Sequence, residues 1–140
     1  MVDETLEQLA FEKIGGLIPV VIQDHGNGDV LMMGFVNRES LAATQKTGEV
    51  HFFSRSRNKL WRKGETSGHV LRVREIRVDC DADALLIRVE AMGPGVCHQG
   101  YRSCFYRTLD ASGRLTVTDE RVFEADSVYG KPANGRKTPQ

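Results

Sequence analysis

All three cysteines of the chain, and three aspartates spaced two apart, fall within the segment from Val78 to Arg107. The aspartates are Asp79, Asp81 and Asp83, and Cys80 lies among them. In extended backbone, successive side chains point to opposite faces, so the three carboxylates would share one face and the thiol would take the other. Carboxylates suit Mg²⁺ and a thiolate suits Zn²⁺, so the pattern predicts two metal sites of different hardness. The same residues are also typical of a polar hairpin turn, in which aspartate is common.

The other two cysteines, Cys97 and Cys104, flank the glycine-bearing stretch "HQGYRS". Their spacing is a weak zinc signal by itself. Together with Cys80 they make three sulfur ligands, and catalytic zinc takes three protein ligands and keeps a place for water. Three thiolates would leave the site with a net negative charge, which is unfavourable for acidifying that water. His98 could be a fourth ligand, a base beside the metal, or an exposed loop histidine.

A basic stretch precedes these residues: between Arg55 and Arg77 there are eight Lys or Arg residues and two Glu. The segment "SRSRNKLWRKGETSG" offers cations, hydroxyls, glycines and the one Trp of the chain, a mixture that suits a nucleotide. Single-stranded nucleic acid would use the same groups, and a solvated loop around a core Trp61 is the plain alternative. The predicted substrate contacts are Arg55, Arg57, Lys59, Trp61, Lys63, Glu65 and Ser67.

The bulk composition restricts the class of protein. A chain of 140 residues is the size of one domain, and 40% apolar with 27% charged residues is typical of a soluble globule. Nineteen basic residues balance nineteen acidic ones, so no overall field favours nucleic acid or a membrane. No apolar run is long enough to span a bilayer, and the acidic N-terminus does not resemble a secretory signal. A cytoplasmic location is expected, where cysteines stay reduced.

These side chains must be positioned by a small sheet. The pattern predicts a helix over Glu4 to Phe11, a hairpin of "LIPVVIQD" and "VLMMGFV" around "HGNGD", and a helix capped by Asn37 and Gly48. Further strands are "EVHFFS", "HVLRVREIRVD", "ALLIRVEA", "SCFYRTL" and "RLTVT". The second and third of these would pair around the "CDAD" turn, and "RSRNKLWRKGETSG" and "MGPGVCHQGYR" are predicted to be long loops. A change of alternation phase predicts a β-bulge near Arg74–Glu75. The fold class is α+β: a mostly antiparallel sheet with one or two packed helices.

Taken together, the stretches "GLIPVVIQD", "VLMMGFVNRESL", "TGEVHFFSRSRNKLWRKGETSG", "VREIRVDCDADALLIRVE" and "CHQGYRSCFYR" resemble the phosphoribosyl-AMP cyclohydrolase family of histidine biosynthesis. They occur in family order and cover Gly16 to Arg107. The resemblance implies an N-terminal helix region over 1–15 and a cyclohydrolase domain over 16–110. It leaves a C-terminal extension packed on that domain over 111–129 and a disordered tail over 130–140. His69 departs from the family pattern, since many relatives have Asn there.

The resemblance also implies a reaction and its metals. The family hydrolyses the N1–C6 bond of the adenine ring of 1-(5-phosphoribosyl)-AMP, and its members are Zn²⁺- and Mg²⁺-dependent homodimers. By this resemblance the three aspartates hold Mg²⁺, and the zinc site is shared across the dimer, with Cys80 from one chain and Cys97 and Cys104 from the other. The hypothesis is that a zinc-activated water attacks C6, with His98 as the first candidate for moving protons; His51 and His69 are further candidates.

Three rival functions remain open at this point, one of them a thiol redox protein, which would be expected to show a CxxC motif that the chain lacks. A zinc-stapled module that binds nucleic acid through the basic loop is the alternative function, although zero net charge and a single Trp speak against it. A purine deaminase would carry "HxE…PCxxC", which the chain lacks. The favoured prediction is an enzyme that takes a small nucleotide and has neither a nucleic-acid nor a membrane partner.

Overall fold

The protein is seen in a computed structural model that describes residues 8–124, so part of the predicted Glu4 helix and the predicted tail lie outside the described residues. The described chain begins with a 3₁₀ turn, Phe11–Lys13, and contains one α-helix, α1, Arg38–Thr47. Its strands are β1 Ile18–Asp24, β2 Val30–Val36, β3 His51–Ser54, β4 Lys59–Arg62, β5 Leu71–Val78, β6 Leu85–Ala91, β7 Arg107–Leu109 and β8 Leu115–Val117. Within residues 8–124, no helix is long and apolar enough to cross a membrane.

Four strands form the main sheet in the order β2-β1-β6-β5, and two hairpins, β3–β4 and β7–β8, stand beside it. The outer pairs are antiparallel, whereas the central pair, β1 and β6, is parallel. Its register sets Val20 beside Leu85 and Ile22 beside Ile87, and all four side chains are buried in one core. The α+β prediction is therefore confirmed, with a mixed rather than wholly antiparallel sheet.

The helix α1 begins and ends where its sequence predicts. The Asn37 side chain accepts a hydrogen bond from the Ser40 amide at 2.8 Å, and the Ser40 hydroxyl accepts one from the Asn37 amide at 2.9 Å. Gly48 follows the last turn with a φ of 75°, a conformation that glycine adopts without strain. The buried Thr44 hydroxyl accepts a bond from the His51 amide at 2.9 Å. This contact fixes the helix against β3.

The predicted bulge is present, because the register of β5 against β6 shifts between Val73 and Glu75. The predicted hairpins around "HGNGD" and "CDAD" are also confirmed.

Three predictions about the secondary structure are wrong. Gln8–Ala10 are not helical; the basic stretch contains β4 rather than one long loop; and the strand predicted for "SCFYRTL" forms only at Arg107–Leu109. The last error arises because the Ser103 hydroxyl bonds the backbone oxygens of Val30 and Leu31, which ties this segment to β2 instead.

Candidate metal centres and active site

The first candidate centre is the turn between β5 and β6, which gathers the three aspartates. Asp79 Oδ1 accepts hydrogen bonds from the amides of Asp83 at 3.0 Å and Ala84 at 3.1 Å, and Ala82 takes a left-handed φ of 63°. The prediction of extended backbone here is wrong, because these bonds close a tight turn. One oxygen from each of Asp79, Asp81 and Asp83 nevertheless lies within 4.8 Å of the others. The turn, not strand alternation, brings the carboxylates together.

A lysine reaches into this carboxylate cluster. Lys13 Nζ lies 3.2 Å from Asp83 Oδ2 and 3.5 Å from Asp81 Oδ2. The hydrogen bond between Asp83 and Asp81 raises the pKa of Asp83 and lowers the pKa of Asp81, so the pair competes for one proton. The bond to Asp83 in turn raises the pKa of Lys13. The cluster is an exposed, hard, anionic site that attracts a cation, which is the donor chemistry that Mg²⁺ requires.

The second candidate centre is the thiol pair, Cys97 and Cys104. Cys97 is only 2% exposed, and its amide donates to the Tyr101 carbonyl at 3.1 Å. The Cys104 amide donates to the Leu31 carbonyl at 2.7 Å, which anchors the loop to β2. The two thiols hydrogen bond to one another, and this contact lowers the pKa of Cys97 from 9.0 to about 6. Cys97 is thus a thiolate at neutral pH, the form that binds zinc.

The third predicted zinc ligand lies elsewhere in the chain. Cys80 is exposed and sits in the turn with the aspartates. Among residues 8–124, the aspartate cluster is the one set of three or more His, Cys, Asp or Glu side chains with mutually close ligand atoms. A single chain therefore brings together two of the three predicted sulfur ligands, and Cys80 does not join them.

Two ionisable side chains accompany the thiol pair. Lys63 is only 7% exposed, and burial lowers its pKa while the nearby Cys104 and Cys97 sulfurs raise it. Burial also lowers the pKa of His98, and the Lys63 charge lowers it further. His98 is therefore a neutral imidazole at neutral pH, able to accept a proton. The centre combines a thiolate, a buried lysine with a lowered pKa and an imidazole with a lowered pKa.

The predicted substrate contacts belong to the β3–β4 hairpin and the turns after it. Arg55, Arg57 and Lys59 are exposed at its tip, whereas Trp61 is half-buried with its ring 5.3 Å from the Phe52 ring. Glu65 is exposed, and the Ser67 hydroxyl accepts a hydrogen bond from the His69 amide at 3.1 Å. The hairpin thus presents cations to solvent and places Lys63 inside.

The two other histidines that were candidates for moving protons, His51 and His69, contact groups of the fold. His51 is buried, and its Nδ1 lies 2.8 Å from the Glu49 carbonyl oxygen. The His69 ring packs edge-on to Phe123 with centroids 5.0 Å apart, and its Nδ1 is buried without a partner in the described structure. The Val122 amide donates to the Gly100 carbonyl at 2.8 Å, so the end of the described chain lies on the loop that carries the thiol pair.

A cleft of about 620 Å³ between β2 and the β3–β4 hairpin was not predictable from the sequence. Its lining residues are Met32, Met33, Gly34, Phe35, Phe52, Phe53, Ser54, Arg55, Ser56 and Trp61. Met33 is exposed and Phe35 is half-buried on the same face of β2, a pattern that marks them only as residues on a partly exposed face of a strand. The hairpin turns that outer face into one wall of a cleft.

Comparison with known proteins places these features in a family. The family model described as phosphoribosyl-AMP cyclohydrolase matches residues 32–106, which include the basic hairpin, the aspartate cluster and the thiol pair. The phosphoribosyl-AMP cyclohydrolase of Solibacter usitatus is 56% identical over 122 residues, which cover 87% of this chain and 96% of that protein.

Two further relatives carry the same name. The protein of Methanosarcina barkeri is 58% identical over 114 residues, 81% of this chain and 84% of its own. That of Nitratidesulfovibrio vulgaris strain DP4 is 50% identical over 119 residues, 85% of this chain and 94% of its own. The prediction of an enzyme is confirmed. With a family model and relatives that agree over most of its length, the chain belongs to the phosphoribosyl-AMP cyclohydrolase family.

Proposed function

We propose that this protein hydrolyses the adenine ring of 1-(5-phosphoribosyl)-AMP in histidine biosynthesis. One water is consumed: its oxygen bonds to C6, the C6–N1 bond breaks, and N1 takes a proton. C6 then becomes the carbon of a carboxamide, and N1 with C2 becomes the formimino link to the second ribose phosphate. The observation that carries the proposal is the thiol pair, in which Cys97 has a lowered pKa, beside Lys63 and His98 in a chain of the cyclohydrolase family.

The donor set at the thiol pair fits zinc. Two adjacent sulfurs, one of them ionised at neutral pH, are soft ligands that suit this metal. Cys80 would complete the three-sulfur set from the second chain of a homodimer, because it lies apart from the pair within its own chain. The carboxylates of Asp79, Asp81 and Asp83 would hold Mg²⁺, since three hard oxygens lie within reach of one ion.

When bound, zinc lowers the pKa of a water molecule, and magnesium neutralises phosphate charge. The roles of the chain's own residues follow from their surroundings. His98, neutral at pH 7, would accept the proton released as water adds to C6 and return it to N1. Lys63 would offset the negative charge of the thiolates in a region that excludes water. The exposed Arg55, Arg57 and Lys59 would hold substrate phosphates, as Arg and Lys do elsewhere.

The test is direct. Purified protein is given phosphoribosyl-AMP, and ring opening is followed by the change in ultraviolet absorbance. We expect turnover that a strong chelator abolishes and that added Zn²⁺ and Mg²⁺ restore. Cys97→Ser should lose bound zinc and turnover together, whereas Asp81→Asn should retain zinc and require more Mg²⁺. Undiminished turnover by a chelated protein shown by elemental analysis to be free of zinc would overturn the proposed role of the thiol pair.

A further inference from the structure

We propose that the cleft between β2 and the β3–β4 hairpin is the subsite for the purine ring of the substrate. The inference rests on the proposed function and adds to it a location for the base. Ligand sites for small molecules are concave, largely apolar and about 300–1,000 Å³ in volume, and this cleft has about 620 Å³.

The walls of the cleft suit a flat aromatic ring. Phe35 and Met33 come from β2, and Phe53 and Trp61 come from the hairpin on the other side. Met33 is 41% exposed, so its thioether is open to contact at the cleft wall. The sulfur of methionine and the faces of aromatic side chains are favourable contacts for a nucleobase. The main chain at Gly34 allows this arrangement, since a Cβ there would lie 2.7 Å from the Phe52 ring.

Cations stand at the rim of the cleft. The Arg55 guanidinium lies 4.0 Å from the centre of the Phe35 ring, and that of Arg57 lies 5.9 Å from the Trp61 ring. An apolar cleft bordered by two arginines matches a nucleotide, whose base is apolar on its faces and whose phosphates are anionic. It does not match a purely apolar ligand, which would leave the rim charges unused.

The cleft also leads toward the thiol pair. Trp61 lines the cleft, and the Lys63 ammonium lies 5.8 Å from the centre of the Trp61 ring. Burial lowers the pKa of Lys63, and the charges of the nearby Cys104 and Cys97 sulfurs oppose that shift, which places Lys63 next to the thiol pair. A purine against Trp61 therefore sits one side chain away from the group of residues that we propose to act on its C6 atom.

Trp61 is the one Trp of the chain, so its fluorescence reports directly on the cleft. The experiment titrates the zinc-loaded protein with AMP and, separately, with ribose 5-phosphate, which has the phosphate but no base. We expect AMP to quench Trp61 emission with saturation and ribose 5-phosphate not to. Phe35→Ala should weaken AMP binding about tenfold, the usual effect of losing one base–aromatic stack.

Arg55→Met should also weaken AMP binding, whereas Arg38→Met is the matched control. Arg38 also lies over a phenylalanine ring, that of Phe11 at 4.8 Å, but it does not line the cleft. Met33→Ala is the second test at the cleft wall, because a partly exposed side chain can be shortened without loss of folding, which circular dichroism would check. With phosphoribosyl-AMP, both wall variants should raise KM more than they lower kcat.

The outcomes separate the two proposals. AMP binding that leaves Trp61 emission unchanged, or that is as tight in Phe35→Ala and Met33→Ala as in the original protein, would overturn the base subsite. If those variants instead shift a monomer–dimer equilibrium and keep AMP affinity, the cleft is a contact between chains and the subsite is likewise rejected. A protein that binds AMP in the cleft but does not hydrolyse the adenine ring of phosphoribosyl-AMP would contradict the proposed function and support the base subsite.

Discussion

The buried Lys63 side chain and the Cys97 thiol lie close enough for each to change the charge state of the other. The Lys63 charge contributes to lowering the pKa of Cys97, and the Cys97 charge contributes to raising the pKa of Lys63. Lysine is seldom buried without a partner of opposite charge. Burial lowers the pKa of Lys63, and the sulfurs of Cys104 and Cys97 oppose that shift. The Lys63 charge therefore helps to stabilise the Cys97 thiolate.

Lys63→Met should therefore raise the pKa of the Cys97 thiol while leaving the fold intact, because methionine fills similar space without a desolvated charge. The measurement is the pH dependence of thiolate absorbance near 240 nm in metal-free protein that also carries Cys80→Ser. Lys59→Met, on the exposed tip of the same hairpin, is the matched control. An unchanged thiol titration in the Lys63 variant would contradict the coupling.

A pH dependence of stability follows from Cys97 itself. Its folded-state pKa of about 6 is lower than the ordinary value of 9.0, so folding favours the thiolate. The contribution to the free energy of unfolding is fully present above pH 9 and is lost as the pH falls through about 6. Urea unfolding of metal-free protein at pH 9, 7.5 and 6 should show a larger decline for the original chain than for Cys97→Ala. Parallel declines for both proteins would exclude this thiolate as the source.

Part of the fold was predictable from the sequence because it depends on residues that are close together in the chain. The capping residues Asn37 and Gly48 and the shift between Val73 and Glu75 follow from neighbours in the chain, and all are confirmed. The strand β4 was missed because "KLWR" is short and carries two cations, so no alternation is visible. The parallel pairing of β1 with β6 joins segments some sixty residues apart, which no short pattern specifies.

The candidate site, like the fold, has features that were predictable from the sequence and features that were not. The convergence of the three aspartates was expected, although a tight turn rather than an extended strand produces it. The proximity of Lys63 to the thiol pair depends on how a hairpin packs against a distant loop. The cleft wall at Met33 and Phe35 depends on how the β3–β4 hairpin packs against β2. Sequence reasoning therefore found the reactive residue types, and the tertiary structure was needed to show which of them meet.

Lys13→Met should increase the affinity of the aspartate cluster for Mg²⁺. The Lys13 ammonium lies 3.2 Å from Asp83 Oδ2 and 3.5 Å from Asp81 Oδ2, so a divalent ion must displace it. The pairs are partly exposed and screened by solvent, and such pairs contribute little, so the gain should be modest, at most about fivefold. Isothermal titration calorimetry with Mg²⁺ measures it, with Lys46→Met as the control. Weaker binding by the Lys13 variant would mean that the lysine supports the site rather than competing for it.

The sharing of zinc ligands between chains has a complementation test. If Cys80 acts with Cys97 and Cys104 of the partner, Cys80→Ser and Cys97→Ser are each inactive alone. A mixed dimer of the two variants has one site with every thiol and one site that lacks two of them. Random exchange of subunits should therefore restore about one quarter of the original turnover, since half the dimers are mixed and each has one working site. If all three thiols served within one chain, no mixture would recover activity. Turnover measured after co-refolding, with zinc content per dimer, decides between the two arrangements.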